Sequence, residues 1–146
     1  MTPVLAGRLQ IRSLLIIIVA IPYTFLLSLL LSVPAWALWI ALLLAILFGY
    51  FMDVVCNFLQ QKRWDGDWPP LLFLIAGIIE FVLLFESMKL LLPEGLFRGE
   101  IIALHYWVMW LISYLFIQHM FHPFRPLYKY SGGRVLPGTD ISARLR

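Results

Sequence analysis

Several ionisable residues lie inside stretches that are otherwise apolar, and their chemistry needs an explanation. They are Asp53, Glu80, Glu86, Lys89, His105 and His119. A carboxylate in such surroundings is costly, so it takes up a proton, pairs with a group on another helix or lines a wet cavity. Glu86 and Lys89 are three residues apart and can pair on one helix face. Glu80 has no such local partner.

The acids at positions 53 and 80 each allow two interpretations. Glu80 lies near the middle of its apolar run and either acts in function or is a neutral acid that hydrogen-bonds a neighbouring helix. Asp53 lies some six residues inside the end of its run, so it either acts in function or in a specific pair, or belongs to a polar helix end that merely reaches the cytoplasmic interface. Both acids are therefore candidate intramembrane polar sites.

The two histidines of the last run suggest partners by depth. His105 lies near the level of Glu86 and Lys89, and His119 lies near the level of Asp53. We therefore predict one polar cluster around His105 and another around His119, with Glu80 between them. The histidines also fall within about 40° of one face, as in two-haem cytochromes, but each haem would need a second histidine from a symmetric dimer.

Motifs for enzymatic chemistry are missing from the sequence. The single cysteine, Cys56, lies within an apolar run, and no CxxC, HExxH, GxSxG or glycine-rich phosphate loop occurs. We predict a protein that is not an enzyme, with no catalytic residues, no metal and no cofactor.

Four long apolar runs must position these residues. They cover about 14–33, 35–59, 69–92 and 101–121. Each run has about 20 residues or more, enough for a helix to cross about 30 Å of hydrocarbon. Hydrophobic residues are 62% of the chain and charged residues 13%, far from the balance of globular domains. We predict an all-α integral membrane four-helix bundle over 1–122, followed by a basic cytoplasmic tail over 123–146 that contains proline and glycine.

The first run resembles a signal peptide in one respect, because Ala35-Trp36-Ala37 is a weak cleavage site. Its apolar stretch of about 20 residues exceeds the usual hydrophobic region of such peptides. We expect a retained span.

Basic residues are distributed unequally around the runs. Arg8 and Arg12 precede the first run, and only Lys89 and Arg98 of the eleven basic residues fall on the opposite side. This asymmetry predicts that both termini are cytoplasmic. The tail suits anionic lipid headgroups, and its basic residues are too sparse to indicate nucleic-acid binding.

One face of the second run changes character along its length. It carries Ala37, Ala41, Ala45 and Gly49, and then Asp53, Asn57 and Gln61. Small residues at every fourth position predict a groove where another helix approaches closely. The polar half either binds a ligand or reaches the interface.

The end of the second run carries a family resemblance. Asn57-Phe58-Leu59-Gln60-Gln61-Lys62-Arg63-Trp64 resembles the Asn-Phe-Leu-x-x-basic-x-Trp signature of the GtrA-like family of small four-span membrane proteins. Ser113–His119 is a fainter match to the same signature, whereas Asp65-Gly66-Asp67 departs from the family's aromatic continuation. The resemblance implies help in translocating or delivering a polyprenyl-phosphate-linked sugar for cell-surface glycan synthesis.

The resemblance also implies a headgroup site. Lys62 and Arg63 would meet the lipid phosphate, Trp64 would stack on a sugar or headgroup, and Asn57 and Gln61 would add hydrogen bonds. An ordinary basic and aromatic interfacial anchor explains the same pattern. The alternative function is a non-catalytic structural or assembly subunit of a larger inner-membrane complex.

The expected location is the cell inner membrane, crossed several times. The expected partners are membrane lipids, the lipid-linked substrate, and a membrane protein such as a glycosyltransferase or a second copy of the chain.

Overall fold

The computed structural model describes residues 5–31, 33–62, 70–93 and 96–115, and all regular structure within these ranges is helical. The elements are α1 (Leu5–Leu15), a π-helical segment (Ile16–Ala20), α2 (Ile21–Leu30), α3 (Ala35–Lys62), α4 (Pro70–Leu91) and α5 (Gly99–Leu115). The first three follow one another without a break. The prediction of an all-α fold is confirmed for the described part of the chain.

The first helix begins earlier than its apolar run. It starts at Leu5 rather than at about 14, so Arg8 and Arg12 lie within the helix and do not precede it. The apolar run begins at about residue 14 because a boundary drawn from hydropathy leaves an arginine outside the run. A helix can nevertheless carry an arginine into an apolar bundle when a carboxylate there neutralises it. Because Arg12 lies within the first helix, its guanidinium reaches Asp53 on a neighbouring helix.

The helices differ in their ability to cross a membrane. Leu5–Leu30 and Ala35–Lys62 are long and apolar enough to do so, and Gly99–Leu115 is a shorter apolar helix. The predicted end of the fourth run, near residue 121, lies outside the described residues. Length and composition thus support the membrane prediction for two helices.

A π-helical segment interrupts the first helix. The backbone N–H of Ile21 bonds the carbonyl of Ile16, five residues back. Pro22 follows immediately and has no N–H to donate, and a proline ring clashes with the carbonyl four residues before it. A π-helical turn just before a proline is a common way for a helix to accommodate the missing N–H and the clash.

The π segment shifts the buried stripe of this helix by one residue. Buried residues are Gly7, Ile11, Leu15, Ala20 and Thr24. Their spacing is four residues, except across the π segment, where it is five. A regular α-helix turns by about 100° per residue, so the twelve steps from Arg12 to Thr24 would leave these side chains about 120° apart around the helix axis. The π segment takes up one extra residue, and the two side chains then lie within about 20° of each other. The widened turn therefore places both polar side chains on the face that packs against the bundle.

Helix α3 lies at the centre, packed against α1, α2, α4 and α5. Ala37 and Ala41, in its first half, belong to one buried cluster with Leu84 and Met88, which lie in the second half of α4. The two helices are therefore antiparallel. The prediction that the alanine face permits close helix packing is confirmed at Ala37 and Ala41.

Aromatic rings fill the interface between α4 and α5. Phe81 lies 5.3 Å from Trp107 and 5.5 Å from Phe85, measured between ring centroids. Trp110 packs against Trp107 and stacks on Tyr114, with 5.4 Å between the last two centroids. Gly77 leaves space here, since an added Cβ would meet the Trp110 indole. These contacts hold α5 against α4.

The outer surface of the bundle is apolar. Leu29, Leu43 and Leu90 are 68%, 65% and 87% exposed, and many other large aliphatic side chains are exposed as well. The buried polar or charged side chains include Thr24, Asp53, Glu80 and His105. Large aliphatic side chains thus cover much of the outside, exposed charges such as Lys62 and Lys89 lie toward the helix ends, and a few polar side chains are buried between the helices.

Candidate functional site: a buried ion cluster between the helices

Arg12 and Asp53 form a two-pronged ion pair between α1 and α3. The Nε of Arg12 donates to Oδ2 of Asp53 at 2.6 Å, and Nη2 donates to Oδ1 at 3.1 Å. A planar guanidinium matches a carboxylate in this geometry and binds it more strongly than an ammonium would. Asp53 thus forms a specific pair, as one of its two interpretations predicted.

Glu80 extends the pair to a third helix. The same Nη2 of Arg12 donates to Oε1 of Glu80 at 3.1 Å. Only 8% of the Glu80 side-chain surface is exposed, against 25% for Arg12. One guanidinium on α1 therefore faces carboxyl groups on both α3 and α4. We call Arg12, Asp53 and Glu80 the ion cluster.

Gly49 provides the space that the arginine needs. It lies one turn before Asp53 on α3 and is buried. A Cβ at this position would collide with the Arg12 guanidinium. The sequence predicted that Gly49 admits a neighbouring helix, but the group that it admits is a side chain of that helix.

Tyr106 connects the ion cluster to α5. Its hydroxyl oxygen lies 2.8 Å from the carbonyl oxygen of Gly77 and 3.3 Å from Oε2 of Glu80. Tyr106 is buried and belongs to the same apolar cluster as Ala41 and Leu84. Hydrogen bonds around the cluster therefore reach α1, α3, α4 and α5.

A second buried polar contact joins α2 to α5. The Oγ1 of Thr24 lies 2.8 Å from Nε2 of His105, and the Tyr23 ring stacks on the imidazole with centroids 5.7 Å apart. The Nδ1 of His105 has no hydrogen-bond partner among the described residues. A neutral imidazole can form this hydrogen bond with a threonine hydroxyl, so the contact does not require a charged His105.

Of the two polar clusters predicted from depth, the one around His105 does not form, and the one that pairs His119 with Asp53 lies partly outside the described residues. His105 contacts Thr24 and not the predicted Glu86 and Lys89, which are both exposed. No ion pair joins Glu86 to Lys89 in the part of the chain that the structure describes. A pair exposed at a helix surface gains little, so each side chain can extend separately. Asp53 meets Glu80 through Arg12, and the predicted partner His119 lies outside the described residues.

The predicted headgroup site is described in part. Asn57 is half-buried, and Gln61 and Lys62 are exposed at the end of α3. Arg63 and Trp64 lie outside the described residues. The Lys62 ammonium lies 4.4 Å from the centroid of the Phe58 ring, in a cation–π contact.

A basic residue of the first helix joins this end of α3. The Nη2 of Arg8 donates to Oε1 of Gln60 at 2.7 Å. Arg8 and Lys62 therefore lie at the same end of the bundle, although 54 positions separate them in the sequence.

Sequence reasoning missed three residues of the interior: Arg12, Thr24 and Tyr106. The signal for Arg12 was available, because two acids without local partners require a cation and Arg12 is the basic residue nearest to the first run. Thr24 and Tyr106 carry no comparable signal, since threonine and tyrosine are common in apolar helices.

A scan against protein-family models and searches of curated proteins and of solved structures found no match to this chain. The resemblance of Asn57–Trp64 to the GtrA-like signature therefore stays a prediction.

Proposed function

We propose that this chain is a multi-pass protein of the cell inner membrane, with four spans and both termini in the cytoplasm. The support is the apolar exterior of the bundle, with leucines such as Leu43 and Leu90 outside and an ion cluster inside. Exposed apolar surface of this extent makes a protein aggregate in water, whereas lipid covers it. Helix α4 carries Glu80 at its middle, and this glutamate contacts Arg12 inside the bundle. The exposed charges of this helix lie toward its end, at Glu86 and Lys89.

We propose further that the protein assists translocation or delivery of a polyprenyl-phosphate-linked sugar without catalysing a reaction. The observation that carries this proposal is that Arg8, bonded to Gln60, and Lys62 lie at the same end of the bundle. Arg63 and Trp64 follow Lys62 directly in the sequence. Cationic side chains grouped at a membrane surface attract a lipid phosphate.

The neighbouring side chains suit this ligand. Lys62 is exposed, and its contact with Phe58 holds the ammonium beside the helix. Gln61 is exposed next to it and can donate from its amide, as required for a phosphate or a sugar hydroxyl.

Binding of polyprenyl phosphate to the purified protein tests this proposal. The double variant Lys62→Gln/Arg63→Gln removes two cations from the proposed site, and Lys89→Gln removes an exposed cation from the opposite end of the bundle. We expect native mass spectrometry to show polyprenyl phosphate bound to the wild type and to Lys89→Gln, and at least tenfold weaker binding to the double variant. Equal binding by the double variant and the wild type would contradict the proposal.

A second candidate is a non-catalytic assembly subunit of a larger membrane complex. The observation that favours it is that the buried polar contacts tie the helices to one another. A rigid bundle with an apolar exterior suits a role in which other membrane helices pack against it. Purification in mild detergent would distinguish the candidates, because an assembly subunit co-purifies with a membrane protein partner in constant ratio, whether or not Lys62 and Arg63 are replaced.

A further inference from the structure

The ion cluster contains more acid than base. Glu80 contacts Arg12 from α1 and Tyr106 from α5, and it lies within electrostatic range of Asp53 and Cys56 from α3. If both carboxyl groups were ionised, the cluster of one guanidinium and two carboxylates would carry a net charge of −1. A buried site in apolar surroundings strongly disfavours an uncompensated charge. A single proton on one of the two acids makes the cluster neutral.

Hydrogen-bond geometry indicates which acid holds this proton. Both oxygens of Asp53 accept from Arg12 in the two-pronged arrangement of an ionised carboxylate. Only one oxygen of Glu80, Oε1, accepts from Arg12. The other oxygen faces the Tyr106 hydroxyl instead.

The tyrosine hydroxyl has one proton and two oxygen neighbours. Gly77 O is the nearer at 2.8 Å, and a carbonyl oxygen can only accept, so the phenol donates to it. One phenol proton cannot point at both oxygens, so the longer contact, 3.3 Å between Tyr106 Oη and Glu80 Oε2, lacks a well-aligned proton unless the glutamic acid carries one. A protonated Glu80 provides it, with the phenol oxygen as acceptor.

We propose that Glu80 is a proton-binding site, protonated on Oε2 in the folded bundle and donating to Tyr106 Oη, with Asp53 as the counterion of Arg12. The proton is exchangeable. When it leaves, Glu80 becomes a carboxylate and the cluster changes from neutral to a charge of −1. No other bond forms or breaks, and the acceptor of the proton is water or another carboxylate.

Arg12 is placed to respond to this exchange. Its Nη2 lies 3.1 Å from Asp53 Oδ1 and also 3.1 Å from Glu80 Oε1. A small rotation of the guanidinium toward α4 would strengthen its contact with a newly ionised Glu80 at the expense of Asp53. A quarter of the Arg12 side-chain surface is accessible, against 8% of the Glu80 side chain, so Arg12 is the more accessible member of this pair. Proton binding at Glu80 does not depend on headgroup binding at Lys62.

Infrared spectroscopy of the protein in lipid nanodiscs tests this proposal directly. A protonated carboxylic acid has a C=O stretching band that is separate from the carboxylate bands and shifts in D₂O. We expect the wild type to show this band at neutral pH. We expect Glu80→Gln to lose it and Glu86→Gln, an exposed glutamate on the same helix, to keep it.

Two further variants sharpen the test. In Asp53→Asn, Glu80 becomes the sole counterion that faces Arg12 within the described bundle, so we expect it to ionise and the band to disappear. In Tyr106→Phe, the acid loses its acceptor, so we expect the band to remain at a higher frequency.

The proposal is overturned if the wild type lacks the band at neutral pH, which requires no variant to fold. It is also overturned if the band survives Glu80→Gln. Because glutamine has the shape of a neutral glutamic acid and can donate to Tyr106, we expect Glu80→Gln to unfold at the wild-type temperature. A large loss of stability in this variant would indicate an ionised Glu80 and would count against the proposal.

Discussion

The Nε of Arg12 lies 2.6 Å from Oδ2 of Asp53, and this contact joins residues 41 positions apart in the sequence. The guanidinium occupies a place on α3 that only a glycine leaves open, at Gly49. The ion pair therefore sets the rotation and the height of the first helix against α3. Without Arg12, the carboxyl groups of Asp53 and Glu80 would lose the cation that they share.

Replacing Arg12 with methionine should destabilise the fold. Both carboxyl groups of the ion cluster would lose their cation, and removing one partner of a buried pair costs about 3–5 kcal/mol. Because a quarter of the Arg12 side chain is accessible, we expect a loss at the low end of that range, about 3 kcal/mol. Reversible unfolding in mixed micelles, followed by circular dichroism, measures it.

Two controls accompany this variant. Arg98→Met, at an exposed position near the start of α5, should change the unfolding free energy by less than about 0.5 kcal/mol. Arg12→Lys keeps the charge without the planar fork and should fall between the two. Wild-type stability in Arg12→Met would show that the ion cluster does not hold the helices together.

Gly49→Ala should destabilise the protein through Arg12. The added methyl group would displace the guanidinium, which two carboxyl groups hold in place. The effect should shrink in the Arg12→Met background, where the methyl group finds room. A double-mutant cycle measures this coupling, which we expect to be about 1–2 kcal/mol. Additive effects would mean that Gly49 serves the backbone alone, and Leu47→Ala at an exposed position is the control.

Thr24→Val should weaken the contact between α2 and α5. Valine has the shape of threonine but cannot bond Nε2 of His105, and the imidazole would then be buried without this partner. A lost partner of this kind costs about 1–3 kcal/mol. Thermal unfolding should show a lower midpoint for Thr24→Val and a nearly unchanged one for Thr24→Ser. Ser28→Ala, where the hydroxyl bonds its own helix, should have little effect.

Deleting Ile18 from the π segment should be tolerated, because its side chain is 52% exposed and the segment holds one residue more than an α-helix needs. The segment would become α-helical, and the eleven remaining steps from Arg12 to Thr24 would keep the two side chains within about 20° of one face. Both buried contacts would then be kept. Deleting Ile17 and Ile18 together removes one residue too many and should rotate Arg12 by about 100° relative to Thr24, with loss of one buried contact. An equal loss of monodisperse protein from the single and the double deletion would contradict the role assigned to the π segment.

Reporter fusions should show both termini in the cytoplasm and Gly95 on the opposite side. The expectation follows from the distribution of basic residues, with only Lys89 and Arg98 on the far side. Fusions of an enzyme active only outside the cytoplasm, made in parallel with a cytoplasmic reporter, measure the location of each point. A C-terminus outside the cytoplasm would contradict the four-span arrangement.

The helical architecture was largely accessible from the sequence. Long apolar runs indicate helices through composition and length alone, which are local properties, so α3 and α4 lie close to their predicted limits. The boundary of the first helix was wrong because hydropathy places an arginine outside an apolar run. The cost of placing Asp53 and Glu80 within apolar runs was also visible, since an isolated carboxylate in apolar surroundings is costly.

The identity of those partners depended on the tertiary structure. Which residues meet across helices is decided by helix rotation, and rotation accumulates along the whole chain. The π segment before Pro22 turns Arg12 and Thr24 onto one face, and Gly49 leaves the space that Arg12 fills. Depth along the helices therefore suggested His105 near Glu86 and Lys89, whereas rotation placed it beside Thr24. The sequence by itself indicated that each acid needed a proton, a partner or a wet cavity, and the packing of the helices brought Arg12 to both of them, because a single guanidinium could reach α3 and α4 together.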